Sequence, residues 1–285
     1  MPKNRLFTTS RDLRSALSLL QEKGLSIGFV PTMGALHAGH LSLIDRALSE
    51  NDWVVISIFV NPTQFNNQED LAQYPRTLDS DLLLIGSRNN CIIFHPEIAE
   101  VYPQSQFFVP IDLKGIDAVM EGKFRPGHFK GVVHVVHNFF QIIKANRAYF
   151  GQKDFQQLAI IRKMVAHFNF STEIVSCETL RESSGLAMSS RNMRLNSSDI
   201  EAALIIYKTL LFVKENKSKM NPQSLKAAAI EFFKSGDLQL EYLEIVDEKT
   251  LTIAEDWQAT NVCCIAAYCN KVRLIDSGGT TRVSH

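Results

Sequence analysis

Along the first 180 residues two hydrophobic textures alternate. Short runs that are almost wholly apolar, LSIGFV (25–30), WVVISIFV (53–60) and CIIF (91–94), are separated by stretches where apolar residues recur every three or four positions. Leu13, Ala16, Leu17 and Leu20 share one helical face, with Ser10 placed to cap that helix and Gly24 to stop it. Leu41, Ile44, Ala47 and Leu48 share another, in a helix expected to begin near His40, and a third helix is expected over Leu78–Ser87. Runs that are apolar on both faces suit strands covered on both sides, which is the environment of a parallel sheet between helices.

The alternation continues. FFVPI (107–111) reads as extended, VVHVVHNFFQII (132–143) as a buried helix, RAYFG (147–151) as a strand with its exit turn, 155–168 as a helix and STEIVSC (171–177) as a strand. The texture then changes at the Ser- and Arg-rich stretch RESSGLAMSSRNMRLNSSD. Helices follow around 199–215 and 222–235, then strands at LEYLEIVD (240–247) and CIAAYCNKVRLID (264–276), with GGTTRVSH as a loose tail. The expectation is an α/β domain over 1–178 and a smaller α+β domain over 179–285.

Thirty basic residues balance thirty acidic ones in the 285, so nothing in the total charge points to nucleic acid or an anionic membrane surface. No apolar run reaches the roughly 18–20 residues of a membrane span, and the charged start does not read as a secretory signal. Cys91, Cys177, Cys263, Cys264 and Cys269 form no C-x-x-C pair, and three of them lie in the apolar run NVCCIAAYC; buried thiols in a reducing compartment are the expectation.

The chemistry gathers after the first strand, in FVPTMGALHAGHLSLI (29–44). Pro31 is expected to resist continuation of the strand ladder, and Gly34 and Gly39 to let backbone approach a ligand closely. The helix behind this loop aims free N–H groups and its positive dipole end into it, which suits phosphate. His37 and His40 can donate to phosphate oxygens and stabilise charge growing on an attacked phosphoryl group. H-x-x-H could also supply two zinc ligands, but no third and fourth stand at useful spacing. G-x-G-x-x-G and the Walker A loop are both absent, which weakens an NAD-type or P-loop reading.

P-T-M-G-x-L-H-x-G-H resembles the HIGH-type signature of the nucleotidyltransferase superfamily, in the form shown by the pantoate–β-alanine ligase family. The resemblance extends in order through FVNPTQFNNQEDLAQYPRT (59–77), EGKFRPGHFKGV (121–132), YFGQKDFQQL (149–158) and GLAMSSRN (185–192). It implies a Rossmann-like parallel sheet with helices on both faces, and a C-terminal domain whose MSSRN loop closes over the triphosphate. It also implies a two-step reaction. ATP activates the pantoate carboxylate as pantoyl adenylate with release of pyrophosphate, and β-alanine then displaces AMP. Mg2+ accompanies the ATP, and the expected setting is a cytoplasmic homodimer.

Carried residue by residue, the resemblance places Met33, Gly34, His37 and His40 at the nucleotide, with His40 the first choice for the catalytic histidine. Gly151, Lys153 and Asp154 match the next part of the ATP site, Lys153 steadying charge on the α-phosphoryl group and Asp154 touching ribose. Leu180, Met188, Ser189, Ser190 and Arg191 complete it. Gln64 and Gln157 match two glutamines that hold pantoate, a task suited to neutral amides. Gln64 and Asn61 are expected near β-alanine. Asp79 and Asp81 fall where some relatives place magnesium-contacting acids, although both also suit the positive end of a helix.

Overall fold

The computed structural model describes residues 5–103, 110–258 and 260–280. They form two compact units. One comprises residues up to Ala118, Gly122–Gly151 and Ile160–Cys177, and the other Val119–Glu121, Gln152–Ala159 and the residues from Glu178 onward.

In chain order the elements up to Cys177 are β1 (Arg5–Phe7), α1 (Ser10–Gln21), β2 (Ile27–Thr32), α2 (Ala38–Glu50), β3 (Trp53–Ile58), α3 (Gln68–Ala72) and α4 (Leu78–Ile85). Then come β4 (Cys91–Phe94), α5 (Ile98–Val101), α6 (Met120–Phe124), α7 (His128–Ile143), β5 (Arg147–Gly151), α8 (Phe155–Phe168) and β6 (Glu173–Cys177). The strands make one parallel sheet in the order β1-β4-β3-β2-β5-β6. Winding runs from β2 through β3 to β4 on one side and from β5 to β6 on the other. The reversal between β2 and β5 is where open α/β sheets bind ligands, outside the carboxyl ends of the strands. The central strands are buried on both faces, and Phe29 on β2 meets Phe139 and Phe140 of α7 edge to face at 5.7 and 6.2 Å. Burying each such side chain stabilises the unit by about 1.5–3 kcal/mol.

Three local expectations are revised and one strand is added. Thr9, not Ser10, caps α1 by accepting from the Asp12 N–H, while the Ser10 N–H and hydroxyl donate to Glu100. Strand β1 has no counterpart in the apolar pattern. α2 begins at Ala38, two residues before His40. Pro31 lies inside β2 rather than ending it. The ladder shows why. Asn146 N–H donates to the Ile27 carbonyl while Trp53 N–H donates to that of Ser26, so odd-numbered residues of β2 face β5. The β2–β5 register ends at Phe29 and Ala148, so the missing N–H of Pro31 falls where the two strands have already parted.

The second unit contains α9 (Ser197–Asn216), α10 (Pro222–Phe233) and an antiparallel sheet in the order β7 (Gln239–Asp247), β8 (Asn261–Cys269), β9 (Val272–Gly279). The run 264–276, expected as one strand, is a hairpin turning at Asn270, which takes a left-handed φ of 52°. Both arms are apolar, so hydrophobicity does not mark the turn. Gly278 and Gly279 belong to β9 and Thr280 is buried against the Asn261 carbonyl, so the expected loose tail begins later; residues 281–285 lie outside the described residues. Of FFVPI, residues 107–109 also lie outside them, and Pro110 and Ile111 have no regular structure. All five cysteines are buried and unpaired, and burial pushes the Cys91 thiol up to about 11.

Candidate active site

The loop leaving β2 is shaped by two successive left-handed residues, Gly34 (φ 81°) and Ala35 (φ 50°). A Cβ on Gly34 would sit 3.0 Å from Asp81 Oδ2 and 3.1 Å from Ile58 Cγ2, so glycine answers both the dihedral and the space. The turn points the Ala35 and Leu36 N–H groups at one carboxylate: Asp81 accepts them at 3.1 and 2.7 Å, and Thr77 Oγ1 donates to it at 3.3 Å. Asp81 is only 1% exposed, and both its oxygens are engaged. Asp81 thus anchors the loop after β2. Asp79 stays exposed in the first turn of α4, and no cluster of three His, Cys, Asp or Glu able to hold a metal occurs among the described residues.

Directly after this turn, the two histidines start α2. His37 is its N-cap: its Nδ1 accepts the Gly39 N–H at 3.2 Å, and His40 Nδ1 accepts the His37 N–H at 3.3 Å. A neutral imidazole carries one N–H, so accepting at Nδ1 puts the proton on Nε2. Each ring thus holds an Nε2 donor while its other nitrogen terminates the helix. The ring centroids are 4.1 Å apart.

The turn Pro62–Gln64 packs under α7 so closely that only glycine fits at Gly131. A Cβ there would lie 2.3 Å from the Thr63 carbonyl oxygen and 2.7 Å from the Gln64 nitrogen, both backbone atoms that cannot yield cheaply. Helix propensity alone would favour Gly131→Ala by up to about 1 kcal/mol, but overpacking costs about 1–3 kcal/mol or more. Gly131→Ala is accordingly expected to lower the urea midpoint; an equal or higher midpoint would contradict the close packing. His128 supports the same turn from behind. Arg125 can only donate, so His128 Nε2 accepts from it at 3.1 Å and Nδ1–H donates to the Gln64 carbonyl at 2.8 Å.

Asn61 is 1% exposed, and both ends of its amide are engaged within the protein. It is a buried support for Gln64. Gln64 Nε2 reaches Met33 Sδ at 2.9 Å. Met33 and Gly34 also wall a cavity of about 240 Å³ beyond the carboxyl ends of the sheet, with Ile58, Arg76, Asp81 and His95 among its other lining residues. Phe65 and Tyr74 meet edge to face at 5.7 Å.

β5 ends at Gly151, where an added Cβ would meet nothing within 4 Å, and the chain turns at once through Gln152–Asp154. In the second unit, Lys153 Nζ lies 3.6 Å from Asp154, with the lysine side chain 17% exposed. Ser277 on β9 donates to the Gln152 carbonyl at 2.8 Å and holds this turn. The adjacent glutamines differ: Gln156 is buried and bonded to backbone at Glu121 and Val119, whereas Gln157 is half-buried. An antiparallel bridge between Arg181 and Ala187 brings Leu180 and Met188 together, the Met188 N–H donating to the Leu180 carbonyl at 3.1 Å. Arg181 pairs with buried Asp276 at 2.6 and 3.1 Å and lies over the Tyr207 ring at 4.5 Å, which fixes that hairpin. Ser189 caps the short helix Ser190–Arg194 by accepting from the Arg191 N–H, with Ser190 buried and Arg191 half-buried. The anchoring by Asp81 and the support by His128 have no local sequence signal; each depends on a partner far along the chain.

A doubly wound parallel sheet, with a loop of imidazole donors on a helix N-terminus beside its switch point, defines a nucleotide-handling α/β protein. The chain belongs to the pantoate–β-alanine ligase family, whose model matches residues 5–278. It is 49% identical over 282 residues to the pantothenate synthetase of Phocaeicola vulgatus, covering 96% of this chain and 98% of that protein. Over 276 residues it is 47% identical to that of Bacteroides fragilis, covering 94% and 96%. Among solved structures, pantothenate synthetase from Thermus thermophilus superposes with a TM-score of 0.91 at 38% identity, covering 98% of this chain and all (100%) of that one. The Francisella tularensis pantoate–β-alanine ligase, complexed with β,γ-ATP and β-alanine, gives a TM-score of 0.80 at 38% identity, covering 97% and 98%.

Proposed function

We propose that this chain condenses pantoate with β-alanine at the expense of ATP, through the residues assigned below. In the first step a pantoate carboxylate oxygen attacks the α-phosphorus, the bond to the bridging oxygen of the β-phosphate breaks, and pyrophosphate leaves. In the second the β-alanine amine attacks the acyl carbon, the C–O bond to AMP breaks, and the amine gives up a proton as the amide forms. A carboxylate is a poor electrophile until its oxygen becomes part of a leaving group, and two anions must first be brought together. Neutral Nε2–H donors from His37 and His40, the α2 N-terminus and the Lys153 ammonium are suited to that task.

The observation that carries these assignments is the loop after β2, where Asp81 and the capping imidazoles set two ring donors at the start of one helix. Met33, Gly34, Gly151 and Asp154 are assigned to the nucleotide, as are Leu180, Met188, Ser189, Ser190 and Arg191, the last three toward the β- and γ-phosphates. Gln64 and Gln157 are assigned to pantoate. Magnesium fits here as an ion carried by the triphosphate, with Asp79 the exposed carboxylate nearest in sequence to the anchored Asp81. When bound it would offset triphosphate charge. A homodimer in the cytoplasm is part of the same proposal; five unpaired, buried cysteines support a reducing setting. No helix among the described residues is long and apolar enough to cross a membrane.

The test of the reaction is AMP formation with ATP, pantoate and β-alanine. AMP should require both acids; its absence under saturating conditions would remove the reading. Gln64→Ala and Gln157→Ala are expected to raise the pantoate KM by roughly tenfold or more, the loss of one or two hydrogen bonds in a closed pocket, with ATP KM little changed. A pantoate titration that does not move would count against the pocket.

A further inference from the structure

The orientation of a side-chain amide is ordinarily open, because its oxygen and nitrogen have nearly the same shape. At Gln64 the surrounding backbone removes that freedom. The Gly131 carbonyl can only accept, so the Asn61 atom 3.2 Å from it is Nδ2. The Thr63 N–H can only donate, so the Asn61 atom it meets at 3.3 Å is Oδ1. The Tyr102 hydroxyl donates to that same Oδ1 at 2.7 Å, and burial pushes its phenol up to about 12, which keeps the proton in place at neutral pH. With Asn61 so fixed, its Nδ2 donates to Gln64 Oε1 at 3.1 Å. The oxygen of Gln64 is thereby turned inward, and the nitrogen is the end that reaches Met33 Sδ. Two of its neighbours keep Tyr102 itself in position: Phe59 at 6.4 Å and His134, edge to face, at 4.7 Å.

We propose that Tyr102 is a positioning residue for the acid-substrate pocket: through Asn61 it holds the Gln64 amide with its N–H groups outward, so that the pocket takes an acid whose facing atom is a hydrogen-bond acceptor. This rests on the assignment of Gln64 to pantoate and extends it with a direction and a cause. A carboxylate or hydroxyl oxygen meets the N–H end without conflict. A flipped amide would present a lone pair to the same oxygen and repel it. Met33 Sδ only weakly distinguishes the two ends, so the choice passes through Asn61, whose Oδ1 accepts from the Tyr102 hydroxyl together with the Thr63 N–H and hydroxyl.

The experiment is a double-mutant cycle of Tyr102→Phe and Gln64→Ala, read as pantoate KM at saturating ATP and β-alanine, with ATP KM measured alongside. Phenylalanine keeps the ring contacts and removes only the hydroxyl. Tyr102→Phe alone is expected to raise the pantoate KM roughly three- to tenfold, the range of one hydrogen bond, and to leave the ATP KM within about twofold. Added to Gln64→Ala it should change the pantoate KM by less than about twofold, because the group it orients is gone. A Tyr102→Phe enzyme with wild-type pantoate KM, or the same increase with and without Gln64, would overturn the inference. An unmoved pantoate KM in Gln64→Ala alone would instead overturn the pantoate assignment, and the inference with it.

Discussion

Replacing Lys153 by alanine is expected to slow pyrophosphate release by on the order of 10²–10³-fold while leaving the fold intact. The size follows from the proposed role. As the carboxylate attacks, negative charge grows on the non-bridging oxygens of the α-phosphoryl group, and an ammonium placed there is worth more in the transition state than in the ground state. The structural cost is small. The only ion pair of Lys153 is with Asp154 at 3.6 Å, among the described residues, and partly exposed pairs contribute about 0–1 kcal/mol. The signature is therefore a collapse of the first half-reaction with a melting temperature close to that of the parent chain. His40→Ala should resemble it in rate but not in stability, because His40 also accepts the His37 N–H at the start of α2. A single-turnover assay with labelled ATP and pantoate, without β-alanine, separates the outcomes. Near-normal pyrophosphate release from Lys153→Ala would take the lysine out of the chemistry.

Removing the Asp81 carboxylate is expected to be the most damaging substitution for stability. In Asp81→Ala two N–H groups in a buried turn lose their acceptor, at about 1–3 kcal/mol each. Ala35 is left in a left-handed conformation that costs about 1–2 kcal/mol for a residue with a Cβ, with nothing to hold it there. Unfolding in urea should show a loss of about 2–4 kcal/mol. Adenylate formation should fall as well, because the turn delivers His37 only one residue after Leu36. Asp81→Asn should be intermediate: it keeps the shape but sets an NH2 group against a backbone N–H. A magnesium ligand would behave differently, since excess Mg2+ would then recover part of the activity of Asp81→Asn. Such recovery, or wild-type stability in Asp81→Ala, would sink the anchoring role.

The alternation of apolar runs with helical spacing carried most of the architecture, because strands buried on both faces and helices buried on one leave different periods in any sequence. β3, β4, β5, α7 and α8 were legible in that way, as was the change of texture before α9. The register of five polar blocks likewise carried the family. What escaped shares one physical cause. A turn between two apolar arms, such as Asn270 between β8 and β9, has no hydrophobic signature, and Pro31 reads as a breaker until the parting of β2 and β5 makes its missing N–H harmless.

By its pattern alone, then, the chain determined the order of elements, the placement of His37, His40 and Lys153 just after apolar strands, and the family to which they belong. The tertiary structure decided what those loops rest on. Asp81 meets Ala35 and Leu36, Tyr102 meets Asn61 forty-one positions away, and Gly131 meets Thr63, with each partnership deciding a direction: where an N–H points, which end of an amide faces out. Local periodicity reports which face of an element is buried. It carries no information on which distant donor finds which acceptor, because that depends on packing between segments the sequence leaves far apart.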